Sequence, residues 1–328
     1  MKAVMVDRSR NEPSFKIGDI PEPETGPGDV KIKVKAGGLN RADLLRITGS
    51  YPTAPGSNAD VMGMEFAGEV VEVGEGVDAY KPGDRIMGNG PAAMSEYVVT
   101  PAQLTLPVPE NLSWAEAGAL PVVLMTGHNS VATIGGRQPG EAVLVHAITS
   151  GAGMAAAQIA IEKGASKIFG TSGSPEKMAK LKDLGLDFVP INYKTDDLAA
   201  IVMKETGDAG VPLVIDQVGA SALEANMQAM SLLGRLVQVG RLGGAKAEID
   251  LDFLALRRLS LIGVTFRTRS VEEKVEIIRL CLDDLGAALA AGRLSPHIDT
   301  AFPMAEAGAA YAHLAANAHV GKIVVEID

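Results

Sequence analysis

Between Ala142 and Val239, short apolar runs alternate with helical stretches, a pattern that few folds can accommodate. Ala142–His146, Lys167–Gly170, Phe188–Ile191, Leu213–Asp216 and Arg235–Val239 read as strands. Met154–Lys163 and Pro175–Leu184 read as helices, and a further helix precedes Arg235. Apolar strands separated by helices pair in parallel, with helices covering both faces of the sheet. The earlier part of the chain has another texture. Val30-Lys31-Ile32-Lys33-Val34-Lys35 alternates apolar and charged residues, as a half-buried strand does. Phe66–Val73, Arg85–Met87 and Met94–Val99 are further strand candidates, set between turns such as Gly74-Glu75-Gly76 and Lys81-Pro82-Gly83-Asp84. Short strands at this spacing predict a small barrel or sandwich. One helix interrupts it from near Arg41 to Gly49, and a long helix is expected over Ala115–Ile134. After a mixed stretch the chain closes on Gly321-Lys322 and a strand, Ile323–Ile327. The expected architecture is a parallel-sheet domain inserted near the end of a β-rich domain, whose final strands come from the C-terminus.

A chain of 328 residues exceeds one ordinary core and suits two domains. A net charge of −10 speaks against nucleic acid or an anionic membrane as partner, since both require basic surface. The one cysteine, Cys281, excludes an intrachain disulfide and a thiolate metal cluster. It falls in the apolar periodic segment Val275–Leu285 and reads as a buried structural thiol. No apolar run approaches the ~18 residues of a membrane helix, and MKAVMVDRSR contains no apolar signal core. The expectation is a soluble, cytoplasmic protein.

The strand Ala142–His146 runs into Ala147-Ile148-Thr149-Ser150-Gly151-Ala152-Gly153 and then a helix. A strand, a turn of small residues and a helix form the dinucleotide-binding turn of a Rossmann domain. The small residues allow a tight turn and close approach to a pyrophosphate, and the helix N-terminus offers N–H groups. The match to G-x-G-x-x-G is imperfect, with Ala147, Ser150 and Gly153 in the three places. An NAD site usually carries an acidic residue about 20 residues on, for the ribose hydroxyls. Here the second strand runs into Gly170-Thr171-Ser172-Gly173-Ser174, with no carboxylate before Glu176 and with Lys177 next to it. Hydroxyls and an ammonium suit a 2′-phosphate, so NADPH is the expected cofactor. The bland alternative for Lys177 is a solvated helix residue.

These pieces, with Leu39-Asn40-Arg41-Ala42-Asp43-Leu44, Gly49-Ser50-Tyr51, Gly63-Met64-Glu65-Phe66-Ala67-Gly68, Asp216-Gln217-Val218-Gly219 and Gly321-Lys322-Ile323-Val324, resemble the medium-chain dehydrogenase/reductase superfamily over essentially the whole chain. The resemblance is to its zinc-independent quinone oxidoreductases, nearest the tumour-suppressor-inducible branch. It implies an α/β protein with a GroES-like β-rich catalytic domain over 1–122 and 268–328. A Rossmann domain with a doubly wound parallel sheet occupies 123–267. In the zinc alcohol dehydrogenases of the superfamily, a Cys and a His ligand fall near Asn40 and on Met64, and an amide and a thioether are poor Zn²⁺ ligands. No metal is therefore expected. Without a Lewis acid the acceptor must already be electrophilic, which favours a quinone or enone over an alcohol.

By resemblance Asn40, Asp43 and Tyr51 are the catalytic candidates, lining the cleft near the nicotinamide. Asn40 and Asp43 suit helix capping equally, and Tyr51 suits packing on Pro52 and Pro55. The cofactor contacts implied are Thr126, Ser150, Gly151, Ala152, Gly153, Gly173, Lys177, Tyr193, Gly240, Phe266, Thr268 and Lys322. Tyr193 is otherwise a strand-end aromatic, and the Phe266 segment is otherwise a subunit-interface strand. Arg267 and Arg269 read equally as surface charges and as phosphate ligands. A homodimer is the family expectation, with the apolar run Ser260–Val264 compatible with a pairing edge. The function expected is NADPH-dependent reduction of a small-molecule quinone or related conjugated carbonyl. The alternatives are a 2-alkenal, enone or enoyl double-bond reductase and, in another class, an NADPH-binding structural or sensory protein.

Overall fold

The computed structural model describes residues 1–7, 14–49 and 58–328. Tyr51 lies outside the described residues. The chain forms two compact units, Met1–Val122 with Val271–Asp328, and Val123–Ser270. The first unit begins with β1 (Lys2–Asp7) and β2 (Ser14–Asp19), an antiparallel pair. The long strand β3 (Asp29–Gly38) follows, then α1 (Arg41–Ile47), β4 (Glu65–Val73), β5 (Arg85–Asn89), β6 (Tyr97–Pro101) and β7 (Thr105–Pro107). The alternation read in β3 is real: Val30, Ile32 and Val34 are buried, while the lysines between them stay partly accessible. Val30, Ile32, Phe66, Val70 and Ile86 share a core with Met62 and Met94.

The expected strand over Met94–Val99 begins three residues late, at Tyr97. Met94 is instead buried and bridges Met62 and Val4 through its backbone. The single helix expected over Ala115–Ile134 is broken into α2 (Trp114–Ala119), α3 (Pro121–His128) and a π-helical turn, Asn129–Thr133. Pro121 supplies the break, because its ring clashes with the preceding turn and offers no N–H. Ser113 and Glu116 cap α2 reciprocally, the Ser113 Oγ accepting from the Glu116 N–H at 3.2 Å.

The second unit carries β8 (Val143–Val145), α4 (Gly151–Glu162), β9 (Ile168–Ser172), α5 (Pro175–Asp183), β10 (Val189–Asn192), α6 (Leu198–Glu205), β11 (Val211–Asp216), α7 (Leu223–Ala229), β12 (Met230–Gln238), α8 (Leu251–Arg257) and β13 (Ser260–Gly263). Its six strands are all parallel, in the order β10-β9-β8-β11-β12-β13. Numbered within the unit this is 3-2-1-4-5-6, the doubly wound Rossmann order, whose direction reverses between β8 and β11. Its core holds Leu144, Phe169, Ile191, Val202, Val214 and Leu236.

The chain then returns to the first unit through α9 (Val271–Ala290), β14 (Ile298–Pro303), α10 (Ala307–Ala315) and β15 (Lys322–Glu326). β15 pairs with β3 at Ala36–Gly38, along the edge that β6 uses at Asp29–Lys33. The last strands thus complete a seven-stranded sheet that begins with β3, while β1 and β2 form a sheet of their own. Among the described residues no helix is long and apolar enough to cross a membrane.

Cys281 is fully buried on α9, and burial, helped by the Asp284 charge, pushes its thiol up to about 12. The folded protein should therefore resist a thiol reagent at pH 8 and react with one equivalent only after denaturation, a result that absorbance after DTNB addition measures.

Candidate active site

Because all strands of the second unit run in parallel, the segments leaving their carboxyl ends share one rim. Ser150, Gly151, Ala152 and Gly153 follow β8, Gly173 and Lys177 follow β9, and Tyr193 follows β10. Gly240 follows β12, and Phe266 and Thr268 follow β13, while Thr126 stands apart on α3.

The turn after β8 is shaped by backbone constraints. Ala147 takes φ +48°, left-handed backbone that residues with a Cβ seldom adopt. The Ile148 N–H donates to the Thr171 carbonyl at 3.0 Å, fixing the turn against β9. Ser150 is the N-cap of α4, its Oγ accepting from the Gly153 N–H at 3.1 Å and donating to the Ala147 carbonyl at 2.8 Å. A Cβ on Gly153 would collide with the Ala147 carbonyl and lie 2.7 Å from Ile148 Cα, so only glycine fits. Helix α4 therefore begins directly over the strand end. A helix leaves its first N–H groups without intrahelical partners and partially positive there, and at Gly151 and Ala152 this suits a diphosphate.

Buried polar groups hold the rim from below. His146 Nε2 lies 2.5 Å from Asn226 Oδ1, and Nδ1 lies 3.0 Å from Thr171 Oγ1. The amide oxygen only accepts, so Nε2 carries the proton and the Thr171 hydroxyl donates to Nδ1. Burial depresses the His146 pKa against the pull of Asp216 and Asn226, which keeps the ring neutral. Asp216 Oδ1 accepts from the N–H groups of Val218 (2.7 Å) and Gly219 (3.0 Å), and its carbonyl accepts from Val239 (2.7 Å) and Gly240 (3.1 Å). A Cβ on Gly240 would meet the Gln217 carbonyl, so the loops after β11 and β12 touch backbone to backbone.

At the end of β9 stand Ser172, Gly173 and Ser174, the last capping α5 by accepting from the Lys177 N–H at 3.3 Å. A Cβ on Gly173 would lie 2.6 Å from the Tyr193 hydroxyl and 2.8 Å from Lys194 Cε, so both side chains fold over this strand end. Sequence reasoning missed Lys194, although its place beside Tyr193 was the available signal. After β13 the Arg269 guanidinium sits 5.7 Å from the Phe266 ring centroid and donates to the Thr265 carbonyl (3.1 Å) and to Asn129 Oδ1 (3.3 Å) on the π-helical turn. Arg269 is thus a strut of the Phe266–Thr268 segment. Thr126 is half-buried on α3 beside Gly127, where a Cβ would come within 2.8 Å of Ile159 on α4.

In the β-rich unit Asn40 stands at the N-terminus of α1, half-buried. Its side-chain Nδ2 donates to Glu65 Oε1 at 2.7 Å, and its Oδ1 accepts from Lys322 Nζ at 2.8 Å. Lys322, expected among the cofactor contacts, is 4% exposed and also donates to the Leu39 carbonyl and to Glu65 Oε1, each at 2.7 Å. Its three N–H bonds are taken up inside this unit, which leaves none for a phosphate. Asp43, expected among the catalytic residues, has no surface to offer a substrate. Its Oδ2 caps α1 by accepting from the Asn40 N–H at 2.8 Å, so the capping alternative describes it.

Two family models match the chain: an alcohol dehydrogenase GroES-like domain over residues 26–110, and a zinc-binding dehydrogenase over residues 151–281. Quinone oxidoreductase-like protein 2 of Bos taurus is 31% identical, over 92% of this chain and 86% of its own length. The chain belongs to the medium-chain dehydrogenase/reductases, among their quinone oxidoreductase-type members. A phenolphthiocerol/phthiocerol polyketide synthase protein of Mycobacterium tuberculosis is 30% identical over 99% of this chain, which spans 15% of that protein's length. Among solved structures, a Pseudomonas syringae pv. tomato quinone oxidoreductase aligns with TM-score 0.86 at 28% identity, covering 99% of this chain and 100% of that one. The CurK enoyl reductase aligns with TM-score 0.86 at 26% identity, covering 100% of both chains. Members of this family are oxidoreductases that bind a nicotinamide coenzyme.

This reductase keeps a titrating group in its β-rich core. Burial raises Asp43 from its ordinary 3.8 to about 6, against the lowering effects of the Asn40 N–H, Arg46 and Lys322. A carboxyl raised in the folded state favours folding below its unfolded pKa and loses that contribution as pH rises through the folded one. Relative to Asp43→Asn, the wild type should lose about 2 kcal/mol between pH 4 and pH 7. Urea unfolding of both proteins across that range checks the sign and the window.

Proposed function

We propose that this reductase transfers hydride from NADPH to a quinone or a related conjugated carbonyl, without zinc. One observation carries the reading. Where the zinc dehydrogenases of the family place catalytic ligands, this chain has Asn40 and Met64, and the ammonium of Lys322 is bonded to Asn40 and Glu65. An amide already bound to an ammonium, with a thioether, is a poor donor set for Zn²⁺. With no Lewis acid to polarise a simple carbonyl, the acceptor must spread incoming charge over its own conjugated system. Bound NADPH supplies the hydride. The protein's part is to hold the coenzyme on the rim of the parallel sheet and to offer Asn40, joined by Tyr51, as hydrogen-bond donors to the acceptor oxygen. The remaining coenzyme contacts proposed are Thr126, Ser150, Gly151, Ala152, Gly153, Gly173, Lys177, Tyr193, Gly240, Phe266 and Thr268.

The preference for NADPH rests on the end of β9, where Ser172, Gly173 and Ser174 stand in place of a carboxylate, near the chains of Tyr193 and Lys194. Lys177→Ala and Lys194→Ala should each weaken NADPH binding roughly tenfold and leave NADH binding unchanged, as fluorescence titration would report. NADH binding as tight as NADPH in the wild type would refute the preference. The likeness to the CurK enoyl reductase supports a second reading, reduction of an activated double bond. Turnover of NADPH with 1,2-naphthoquinone against a cinnamaldehyde-type enal separates the two. Tight NADPH binding with turnover of neither would favour a structural or sensory protein.

The homodimer belongs to the same proposal. Leu251 and Leu256 on α8, which packs against β12, are 70% and 72% exposed, and β13, the end strand of the sheet, exposes Leu261 in part. Exposed apolar side chains and an end strand with a free edge in the same unit favour a second copy. Light scattering should give twice the chain mass for the wild type and the single mass for Leu256→Asp.

A further inference from the structure

Three side chains from distant parts of the chain meet in the β-rich unit, and their chemistry permits one arrangement. The ammonium of Lys322 directs its three N–H bonds to the Leu39 carbonyl, Asn40 Oδ1 and Glu65 Oε1, at 2.7, 2.8 and 2.7 Å. Glu65, fully buried, also accepts from Asn40 Nδ2 and from the Val122 N–H, each at 2.7 Å. The Asn40 amide is therefore held at both ends. A group that only donates faces its oxygen, and a group that only accepts faces its nitrogen. A flipped amide would set oxygen against carboxylate and NH₂ against ammonium. The second Nδ2 hydrogen points to the Gly38 carbonyl at 3.4 Å, the loosest contact in the cluster and near the limit of a hydrogen bond. Asn40 is also the one member of the three that is only half-buried. The space is built for the carboxylate, since a Cβ on Gly38 would lie 2.5 Å from Glu65 Oε1 and 2.8 Å from Ala119 Cα.

We propose that Lys322 is a positioning residue. Its buried ammonium, fixed by Glu65, locks the Asn40 amide in the orientation from which the second Nδ2 hydrogen, held only loosely by the Gly38 carbonyl, can be given up to the acceptor carbonyl, and it makes no contact with the coenzyme. The proposal rests on the reading of Asn40 as the acceptor-side donor. It replaces the metal of the zinc-dependent relatives with a cation belonging to the chain, one that acts on a protein amide instead of on the substrate.

The test uses the full chain as wild type, Lys322→Met, Lys322→Arg and the charge-neutral pair Lys322→Met/Glu65→Gln. The pair covers the case in which Glu65, left uncompensated, unfolds the single variant. In protein labelled with ¹⁵N-asparagine, the Asn40 side-chain signal is identified by its loss in Asn40→Ser. Its amide protons should exchange slowly in the wild type and roughly tenfold faster in Lys322→Met or the pair. With 1,2-naphthoquinone or the enal, kcat/KM for the acceptor should fall roughly 10- to 100-fold in Lys322→Met. NADPH affinity should stay within about twofold of the wild type, because the ammonium has no N–H left for a phosphate. Lys322→Arg should recover part of the loss. Weakened NADPH binding with unchanged acceptor kinetics would overturn the proposal and assign Lys322 to the coenzyme. Wild-type amide exchange in Lys322→Met or in the pair would overturn the lock. A wild type that reduces neither acceptor sinks the functional reading instead, and amide exchange then decides the lock alone.

Discussion

The buried carboxylate of Glu65 is the interaction on which the β-rich unit depends. It sits on β4 and accepts from Lys322 at the start of β15, Asn40 ahead of α1, and Val122 in the first turn of α3. Its ion pair with Lys322 spans 257 positions of sequence. Taking two charges out of water costs several kcal/mol each, roughly, and only good geometry with every remaining donor and acceptor used offsets it. Here the geometry is good, and every donor of the ammonium has a partner. Losing either partner would leave a buried charge uncompensated, at about 3–5 kcal/mol. Glycine makes the arrangement possible. A Cβ on Gly118 would lie 2.6 Å from the Ala36 carbonyl, and one on Gly38 would strike Glu65 itself, so α2 lies close on β3 while the carboxylate still fits.

The parallel unit obeys the same logic in backbone terms. Where chains must approach, as at Gly153 over Ala147 and Gly240 over Gln217, the side chain is absent. Where a polar side chain is buried beneath the rim, its partners come from neighbouring strands and helices, as His146 shows with Thr171 and Asn226. The network is not closed. Asp216 Oδ2 and Asn226 Nδ2 have no hydrogen-bond partner among the described residues, although both residues act on His146. Groups left in that state are costly in a dry interior.

Much of this was legible in the sequence because the signals were local. The β3 alternation, the strand–turn–helix at β8 and α4, and the absence of a carboxylate at the end of β9 can each be read within about a dozen residues. Three helices were missed, each for a physical reason. The apolar residues of α8 point outward, since Leu251 and Leu256 are exposed, so its pattern does not show a buried face. α10 is dominated by alanine and small residues, and α6 is only eight residues long. The break at Pro121 was written in the sequence and overridden by the apolar run around it. Lys322 was placed among the coenzyme contacts by family resemblance alone, and no local pattern in the sequence points to its partners. Only the three-dimensional pairing with Glu65 and Asn40 shows that its donors are already used.

A net charge of −10 and the proposed binding of a polyanionic coenzyme look contradictory only if net charge is what the coenzyme meets. At physiological salt, charges more than about 8 Å apart are largely screened, so a diphosphate responds to its immediate neighbours. At the β8–α4 turn, where the diphosphate is proposed to lie, the neighbours on offer are backbone N–H groups and a helix N-terminus, which carry no formal charge and leave no trace in composition. The same holds in the β-rich unit, where a cation is fully matched by a buried anion and adds nothing to the surface field. The features that the proposed chemistry draws on are thus backbone dipoles and the buried Lys322–Glu65 pair, both nearly invisible to a count of residues. That is why the order of strands and the placement of a few glycines say more about its activity than its charge does.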